Sequence, residues 1–563
     1  MKGERKYGLM AIALALISVA IIWVVGLGEA TEEVVTQEET EKSIWNYVKL
    51  FDAVAFNINS NYVDTVNPEE LVKAGIKGMM RTLDPFSVLQ DVKAHERLME
   101  MTEGKYEGLG MAIAKRNDVI TVISPIEGTP AYRMGLKAGD QIIQIDDKPT
   151  EGMTTEDASK LMRGERGTTV TLKIKREGVK ELLEYTIERA IIELKNVPYS
   201  GVMDGGIGYV RLSKFSKESG KELKDAIIEL KGKNIKGLIL DLRNNGGGLL
   251  DQAVETANLF LDDGKLIVYT QGRMERKRDY FARGKPVYGD GPLVILVNGG
   301  TASASEIVSG AVQDWDRGVI IGNTTFGKGL VQRVIQRNLP SDYFLKLTVA
   351  KYYVPSGRCI QKPEMVKKHS STEEESDSLM VSERKVFYTK GGREVYGGGG
   401  IVPDIAIDKE KYKSIEYNLE RQSMFFDFAV SYIAEHPNIQ RDFEVDDQVI
   451  GEFKEFLQEK DFTYKSALEL DLDTLKRHIE KQEKSEVFAE VLKNMESLIE
   501  EEKKQDFDQS IDYIKRSIKR DVLNNLYGQK AWYEEIILKA DPAIQKAFEI
   551  LSNKDKYNAS LGG

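Results

Sequence analysis

The chain has 563 residues, 41% hydrophobic and 30% charged, with a formal net charge of −11. This length predicts three or four domains rather than one, and the acidic balance argues against nucleic acid as a partner. A lone cysteine, Cys359, excludes an intrachain disulfide and an all-cysteine metal site. None of the four histidines (His95, His369, His436, His478) pairs at zinc-ligand spacing, so neither metal nor cofactor is expected.

Residues 1–28 begin with Lys2, Arg5 and Lys6, then run from Tyr7 to Gly28 without a charge. As a helix those 22 residues would span about 33 Å, enough to cross a bilayer. Gly26-Leu27-Gly28 is a poor cleavage site, which favours an uncleaved signal anchor over a removed signal peptide. The basic start places residue 29 onward outside the cytoplasm. Residues 29–103 read as a linker and an N-terminal helical region. An acidic tether (29–41) precedes helical periodicity through Trp45, Val48, Phe51, Val54 and Ile58, then through Leu71, Ile76 and Met79, closed by Leu83-Asp-Pro-Phe-Ser87.

Residues 104–190 turn to short strands around two glycine segments, Gly108-Leu109-Gly110-Met111 and Gly135-Leu-Lys-Ala-Gly-Asp140. The two together, with strands between them, resemble a PDZ domain. Such a domain captures a carboxyl-terminal tail as an added strand, with the N–H groups of the Gly108–Met111 loop on its carboxylate.

From Gly206 to residue 408 strands and helices alternate, which predicts an α/β core. A strand (206–212), a helix (217–231) and a buried strand ending at Arg243 lead into Asn244-Asn-Gly-Gly-Gly248. The apolar run Pro292–Val297 then breaks at Asn298-Gly299-Gly300 and enters Thr301-Ala-Ser-Ala-Ser-Glu306, a helix start rich in hydroxyls. Free N–H groups at a helix start favour developing negative charge, so a hydroxyl placed there can attack a carbonyl. Lys328, between Gly327 and Gly329, is the sole lysine of residues 292–332. A serine nucleophile with a lysine base is the working hypothesis, and spacing alone leaves Thr301, Ser303 and Ser305 open. Two strands follow, then a polar excursion (362–390) read as a surface loop, then a return strand at Ile401–Ile405. Residues 409–563 keep only four of the 49 glycines and show heptad-like spacing from Val487 to Ile499, a C-terminal helical domain. Its charge is most simply a solvated face, with packing or homo-oligomerisation through the helical regions as the alternative.

Residues 45 to about 408 resemble the carboxyl-terminal processing peptidases (tail-specific proteases) of the Ser/Lys type. The resemblance is carried by Leu83–Ser87, the two PDZ loops, Asp241–Leu249, Ser303–Glu306, Phe326–Gln332, Tyr352–Gln361 and Tyr396–Asp404. It implies a multidomain α/β chain: a crotonase-like α/β protease core (191–408) with an upstream PDZ domain, an N-terminal helical region and a C-terminal helical domain. It implies Ser303 as nucleophile, Lys328 as base and Gln332 as the neutral group orienting the lysine. The oxyanion hole would use the N–H groups of Gly247 and Ala304. Gly246 stands where the family often has proline, so a looser loop is expected. Arg163 matches an arginine that reports tail binding to the catalytic centre. A lysine base must lose its proton near neutral pH, which requires burial from water.

The activity expected is that of an ATP-independent serine endopeptidase, since no phosphate-binding loop is present. It would cleave exported proteins that present an apolar C-terminal tail. Location is expected at the cell envelope, on the periplasmic side, anchored in the inner membrane through residues 7–28 or secreted if they are cut. A Ser-His-Asp protease is disfavoured because its nucleophile loop is absent. A non-catalytic, membrane-anchored PDZ adaptor is the alternative, and Ser303, Lys328 and Gln332 together speak against it.

Overall fold

A computed structural model describes residues 37–363, 384–408 and 412–562, with side chains from residue 44 onward. The expected membrane segment (7–28) and residues 364–383 of the polar excursion lie outside the described residues. Among the described residues no helix is long and apolar enough to cross a membrane.

The chain divides into two compact units, Met1–Leu83 and Asp84–Gly563. The first holds helices Gln37–Asn61 and Pro68–Arg81. Asn67 caps the latter, its side chain accepting the Glu69 N–H at 3.0 Å, with Pro68 at the first helical position.

In the second unit, strands Met111–Arg116, Val119–Pro125, Gln141–Ile145, Thr169–Lys175 and Leu183–Glu188 form an antiparallel sheet in that order. Every second residue of Thr169–Lys175 (Val170, Leu172, Ile174) is buried, the period-two pattern of a half-covered sheet. Helix Thr155–Met162 starts with a reciprocal cap between Thr154 and Asp157 and buries Ala158 and Met162 in the same core. This is the PDZ fold. Met111–Arg116 is an edge strand, paired on one side only.

The α/β core is a six-stranded sheet in the order Tyr199–Met203, Ile207–Arg211, Gly237–Asp241, Leu293–Val297, Val319–Gly322 and Ile405–Ala406, parallel after its first, antiparallel pair. Strands Leu293–Val297 and Val319–Gly322 carry no polar side chain because both faces of the sheet are covered. Leu238, Leu240, Leu293, Ile295 and Val297 face a layer that includes Ala253, Ala257, Ile307, Val308 and Ala311. Ile239, Val294, Leu296, Val319 and Ile321 face Ile544, Ala547, Ile550 and Leu551 of helix Pro542–Leu551. The second layer therefore comes from the C-terminal helical region, which the sequence reading kept apart from the core. The earlier helices of that region have a core of their own around Phe425, Phe428, Phe453, Ile514 and Ile518. Asp427, in helix Met424–Glu435, pairs with Arg116 of the PDZ edge strand at 2.7 Å.

A second, antiparallel sheet runs Val88–Asp91, Tyr343–Tyr353, Leu266–Gln271 and Arg278–Phe281, with Leu330–Ile335 also on Tyr343–Tyr353. Residues 88–91, in the stretch assigned to the N-terminal region, thus pair with a strand of the α/β core region. Part of the excursion read as loop is also ordered: Val386–Tyr388 pairs with Glu394–Tyr396.

Candidate active site

Parallel sheets present their sites at the carboxyl ends of the strands. Three loops meet there in this chain: 242–249 after Gly237–Asp241, 298–303 after Leu293–Val297, and 323–329 after Val319–Gly322.

Ser303 precedes helix Ala304–Asp314 with φ 55° and ψ −114°, a left-handed conformation that a residue with a Cβ adopts only when its surroundings enforce it. The neighbouring hydroxyls are already engaged. Thr301 Oγ1 donates to Leu242 O (2.9 Å) and accepts from Asn298 N (2.9 Å), and Ser305 Oγ donates to Asn245 O (2.9 Å); both side chains are fully buried. Of the three candidates only Ser303 is partly exposed.

The enforcing group is Glu306, completely buried three residues into the helix turn. Its Oε2 accepts the N–H of Ser303 (2.8 Å) and the N–H of Lys328 (3.0 Å). Its Oε1 accepts from Gly327 N (2.8 Å) and from the Thr325 hydroxyl. One carboxylate oxygen thus holds the main chain of both candidate dyad members. Burial pushes the Glu306 carboxyl up to about 7, against those four donors. Sequence reasoning gave Glu306 no role, although the Ser-x-x-Glu spacing of a capping box was readable there. Tyr352 is a second bridge that it missed: its buried hydroxyl lies between the carbonyl oxygens of Ser303 (3.1 Å) and Lys328.

Lys328 Nζ lies over the Phe86 ring, 4.6 Å from its centre. Burial lowers the ammonium to about 8, assisted by the charge of Lys346 and opposed by Glu306 and Asp84. Phe86 is held there by Asp84, whose Oδ1 accepts the N–H groups of Phe86 (2.8 Å) and Ser87 (3.0 Å). Among the described residues no hydrogen bond joins Lys328 Nζ to Ser303 Oγ; such contacts commonly tighten only with substrate bound. Gln332 lies opposite Thr348 in the pairing of Leu330–Ile335 with Tyr343–Tyr353, and its Nε2 donates to Thr348 Oγ1 at 3.3 Å.

Gly247 (φ 93°) packs directly against the loop that carries Ser303. A Cβ there would lie 2.7 Å from Ala302 O and 2.8 Å from both Ala304 N and Ser303 Cβ, so no side chain fits. Ala304 N–H is a first-turn donor without an intrahelical acceptor. The Gly247 N–H, however, donates to Asn245 Oδ1 at 2.9 Å, so it must turn from Asn245 to reach an oxyanion.

In the PDZ domain Gly110 (φ 81°) closes against Thr129, whose hydroxyl donates to Gly110 O at 2.8 Å. Gly108 ends its strand, Leu109 is buried in the core, and Met111 opens the free edge strand beside half-buried Ile113 and Leu161. Arg163 ends helix Thr155–Met162; it pairs with Glu100 and lies over the Tyr106 ring at 4.7 Å. Arg163, Glu100, Tyr106, Lys214, Phe215 and Gly247 share the wall of one cavity of about 310 Å³.

Comparison with known proteins places these features in context. Residues 206–372 match peptidase family S41, residues 121–176 match a PDZ domain, and residues 415–551 match the C-terminal helical domain of a probable PDZ-protease. A carboxy-terminal-processing protease of Bartonella bacilliformis is 38% identical over 387 residues, 67% of this chain and 80% of that protein. The carboxy-terminal processing protease CtpA of Bacillus subtilis is 34% identical over 377 residues, 67% of this chain and 78% of that protein. Among solved structures, a photosystem II D1 C-terminal processing protease is similar over 63% of this chain and 86% of its own, at 27% identity and a TM-score of 0.35.

Proposed function

The chain belongs to peptidase family S41 and is a serine-type, carboxy-terminal processing protease with a PDZ domain, and from that premise we propose that Ser303 is its nucleophile and Lys328 its general base. The observation that carries this reading is Glu306 Oε2, which takes the N–H of Ser303 at 2.8 Å and of Lys328 at 3.0 Å. With Lys328 lowered to about 8, roughly a tenth of it is neutral at pH 7, against less than a thousandth for an exposed lysine. Neutral Lys328 takes the Ser303 proton as Oγ attacks the scissile carbonyl. The oxyanion is received by Ala304 N–H and by Gly247 N–H once it leaves Asn245. Protonated Lys328 then delivers its proton to the departing amine, and the acyl-enzyme is hydrolysed by a water that Lys328 deprotonates. Gln332 acts through Thr348 and the strand behind the lysine.

Substrates in this reading are exported proteins with apolar C-terminal tails. The free edge of Met111–Arg116 adds the tail as a strand, the loop Gly108–Met111 takes its carboxylate, and Met111, Ile113 and Leu161 meet its side chains. Arg163 relays occupancy through the cavity it shares with Gly247. Residues 1–28 anchor or export the chain, 29–103 link it, 104–190 capture the tail, 191–408 cut, and 409–563 support the core. Location at the periplasmic side of the cell envelope follows from the basic start and uncharged run of residues 1–28. Self-association through the helical regions is consistent with the exposed Trp45, Leu50 and Phe56 of helix Gln37–Asn61.

The test is cleavage of a protein bearing an apolar C-terminal tail by the wild-type chain, Ser303→Ala and Lys328→Ala. Both variants are expected to be inactive. Cleavage that survives both substitutions would falsify the dyad.

A further inference from the structure

Asp541 stands where the C-terminal helices meet the loop that carries Gly247. Its Oδ1 caps helix Pro542–Leu551 by accepting Ala543 N (3.0 Å) and Ile544 N (3.1 Å). The same carboxylate accepts Arg243 Nη1 with both oxygens, at 2.9 and 2.7 Å. Arg243 is the second residue beyond strand Gly237–Asp241 and begins the run to Gly247.

The far side of the Arg243 guanidinium is held by Asp241, through Nε at 3.1 Å to each oxygen and Nη2 at 2.7 Å. Asp241 has other obligations: it also accepts the Tyr209 hydroxyl (2.8 Å) and Arg211 Nη1 (2.6 Å). Arg211 in turn donates to Arg243 O. Arg243 and Asp541 are each 18% exposed, so water competes weakly for this pair. The next residue, Asn244, has φ 55° and exchanges two hydrogen bonds with Asn298, whose loop leads to Ser303. The oxyanion loop is therefore pinned at its root by an aspartate from a segment that no part of the catalytic reading uses.

We propose that Asp541 is a positioning residue of the protease. Through Arg243 it sets the height of the Gly247 loop against Ser303, so that the C-terminal helical region tunes transition-state stabilisation as well as covering the sheet. Helix Pro542–Leu551 packs on strands Gly237–Asp241 and Leu293–Val297, which lead into the Gly247 and Ser303 loops, on the face opposite the helix that follows Ser303. The inference rests on Ser303 as nucleophile and Gly247 as an oxyanion donor.

The experiment uses the full chain and two probes: a fluorogenic peptide with an apolar C-terminal tail, and a peptide aldehyde of matching sequence, whose adduct carries an oxyanion. Asp541→Asn keeps a capping side chain, because Asn and Asp cap equally well, and removes the charge that holds Arg243. The expected result is a fall in kcat of about tenfold with KM unchanged and an equal weakening of aldehyde inhibition, both measured well below the thermal midpoint of the variant, and recovery in Asp541→Glu. Wild-type kcat and aldehyde affinity in Asp541→Asn would overturn the inference. So would a fall in kcat without weaker aldehyde binding, or one that disappears when the assay is run at lower temperature, where the variant is fully folded. Ser303→Ala in the same assay separates the two levels: if it still cleaves, the dyad reading fails whatever Asp541→Asn does.

Discussion

Lys328 Nζ sits 4.6 Å from the centre of the Phe86 ring, and the two are brought together by a strand pairing rather than by nearness in the chain. The ring acts on the lysine in two opposite ways. As an apolar wall it excludes water and disfavours the ammonium, while its π-face favours the ammonium. Burial is the larger influence, since the lysine is lowered to about 8. Only the neutral amine accepts a proton, so kcat/KM should rise with pH and level off above that value. Phe86→Ala admits water and should move the midpoint up by about one pH unit, whereas Phe86→Leu keeps the wall, loses the π-face and should leave it unchanged or lower. A pH–rate profile of the three proteins checks the ordering.

Glu306 adds a second proton to the acid side of that profile. Its folded value near 7 lies above its ordinary 4.5, so the folded state binds this proton more tightly than the unfolded one. The stability tied to it is whole below pH 4.5 and is lost as pH rises through about 7. Activity runs the other way, because only the ionised carboxylate can accept from Ser303, Gly327, Lys328 and Thr325 together. Below pH 7 the fall in activity should therefore be steeper than one proton allows. Glu306→Ala leaves buried N–H groups without an acceptor and should cost about 2–4 kcal/mol of stability as well as at least a hundredfold in kcat. Denaturant titration alongside turnover measures both.

Gly247→Ala places a methyl group against Ala302 O and Ser303 Cβ, at a φ of 93° that alanine avoids. The loop must retreat, and kcat should fall by about 10²–10³ with KM little changed. If kcat instead stays within a factor of two, Gly247 is not an oxyanion donor.

Arg163 offers a test of communication. Its pair with Glu100 is partly exposed, at 40% and 34% of the two side chains, and is worth about 1 kcal/mol or less. A contact that weak can exchange partners when a tail binds. Arg163→Ala should lower cleavage of a tailed peptide about tenfold and leave a tail-less peptide unaffected, whereas Glu100→Gln should spare the tailed peptide. Parallel kcat/KM values on the two peptides decide it.

Much of this architecture was readable in the chain itself. Alternating strands and helices from Gly206 marked the α/β core, and unbroken apolar runs such as Leu293–Val297 marked strands covered on both faces. The glycine loops around 108–111 and 135–140 marked the PDZ domain. Contacts made at long range were not readable. Phe86 meets Lys328 only because Val88–Asp91 joins Tyr343–Tyr353, a pairing with no local signature. Tyr352 looked like an ordinary strand residue, and the register shift that sets Gln332 opposite Thr348 has no local signature either. The C-terminal region read as a separate helical body because helical periodicity says which face is apolar, and not what that face meets.

One consequence concerns the order in which this enzyme is made. Helix Pro542–Leu551, which covers Ile239, Val294, Leu296 and Ile321, is synthesised after every strand of the sheet beneath it. At roughly 2 kcal/mol for each large apolar side chain it buries, that cover is a substantial part of the stability of a typical domain. A nascent chain already containing Ser303, Lys328 and Glu306 still lacks it. Until Pro542–Leu551 is added, the face of the sheet formed by Ile239, Val294, Leu296 and Ile321 stands open to water, so the strands that carry the site reach their final packing only after that helix has been translated.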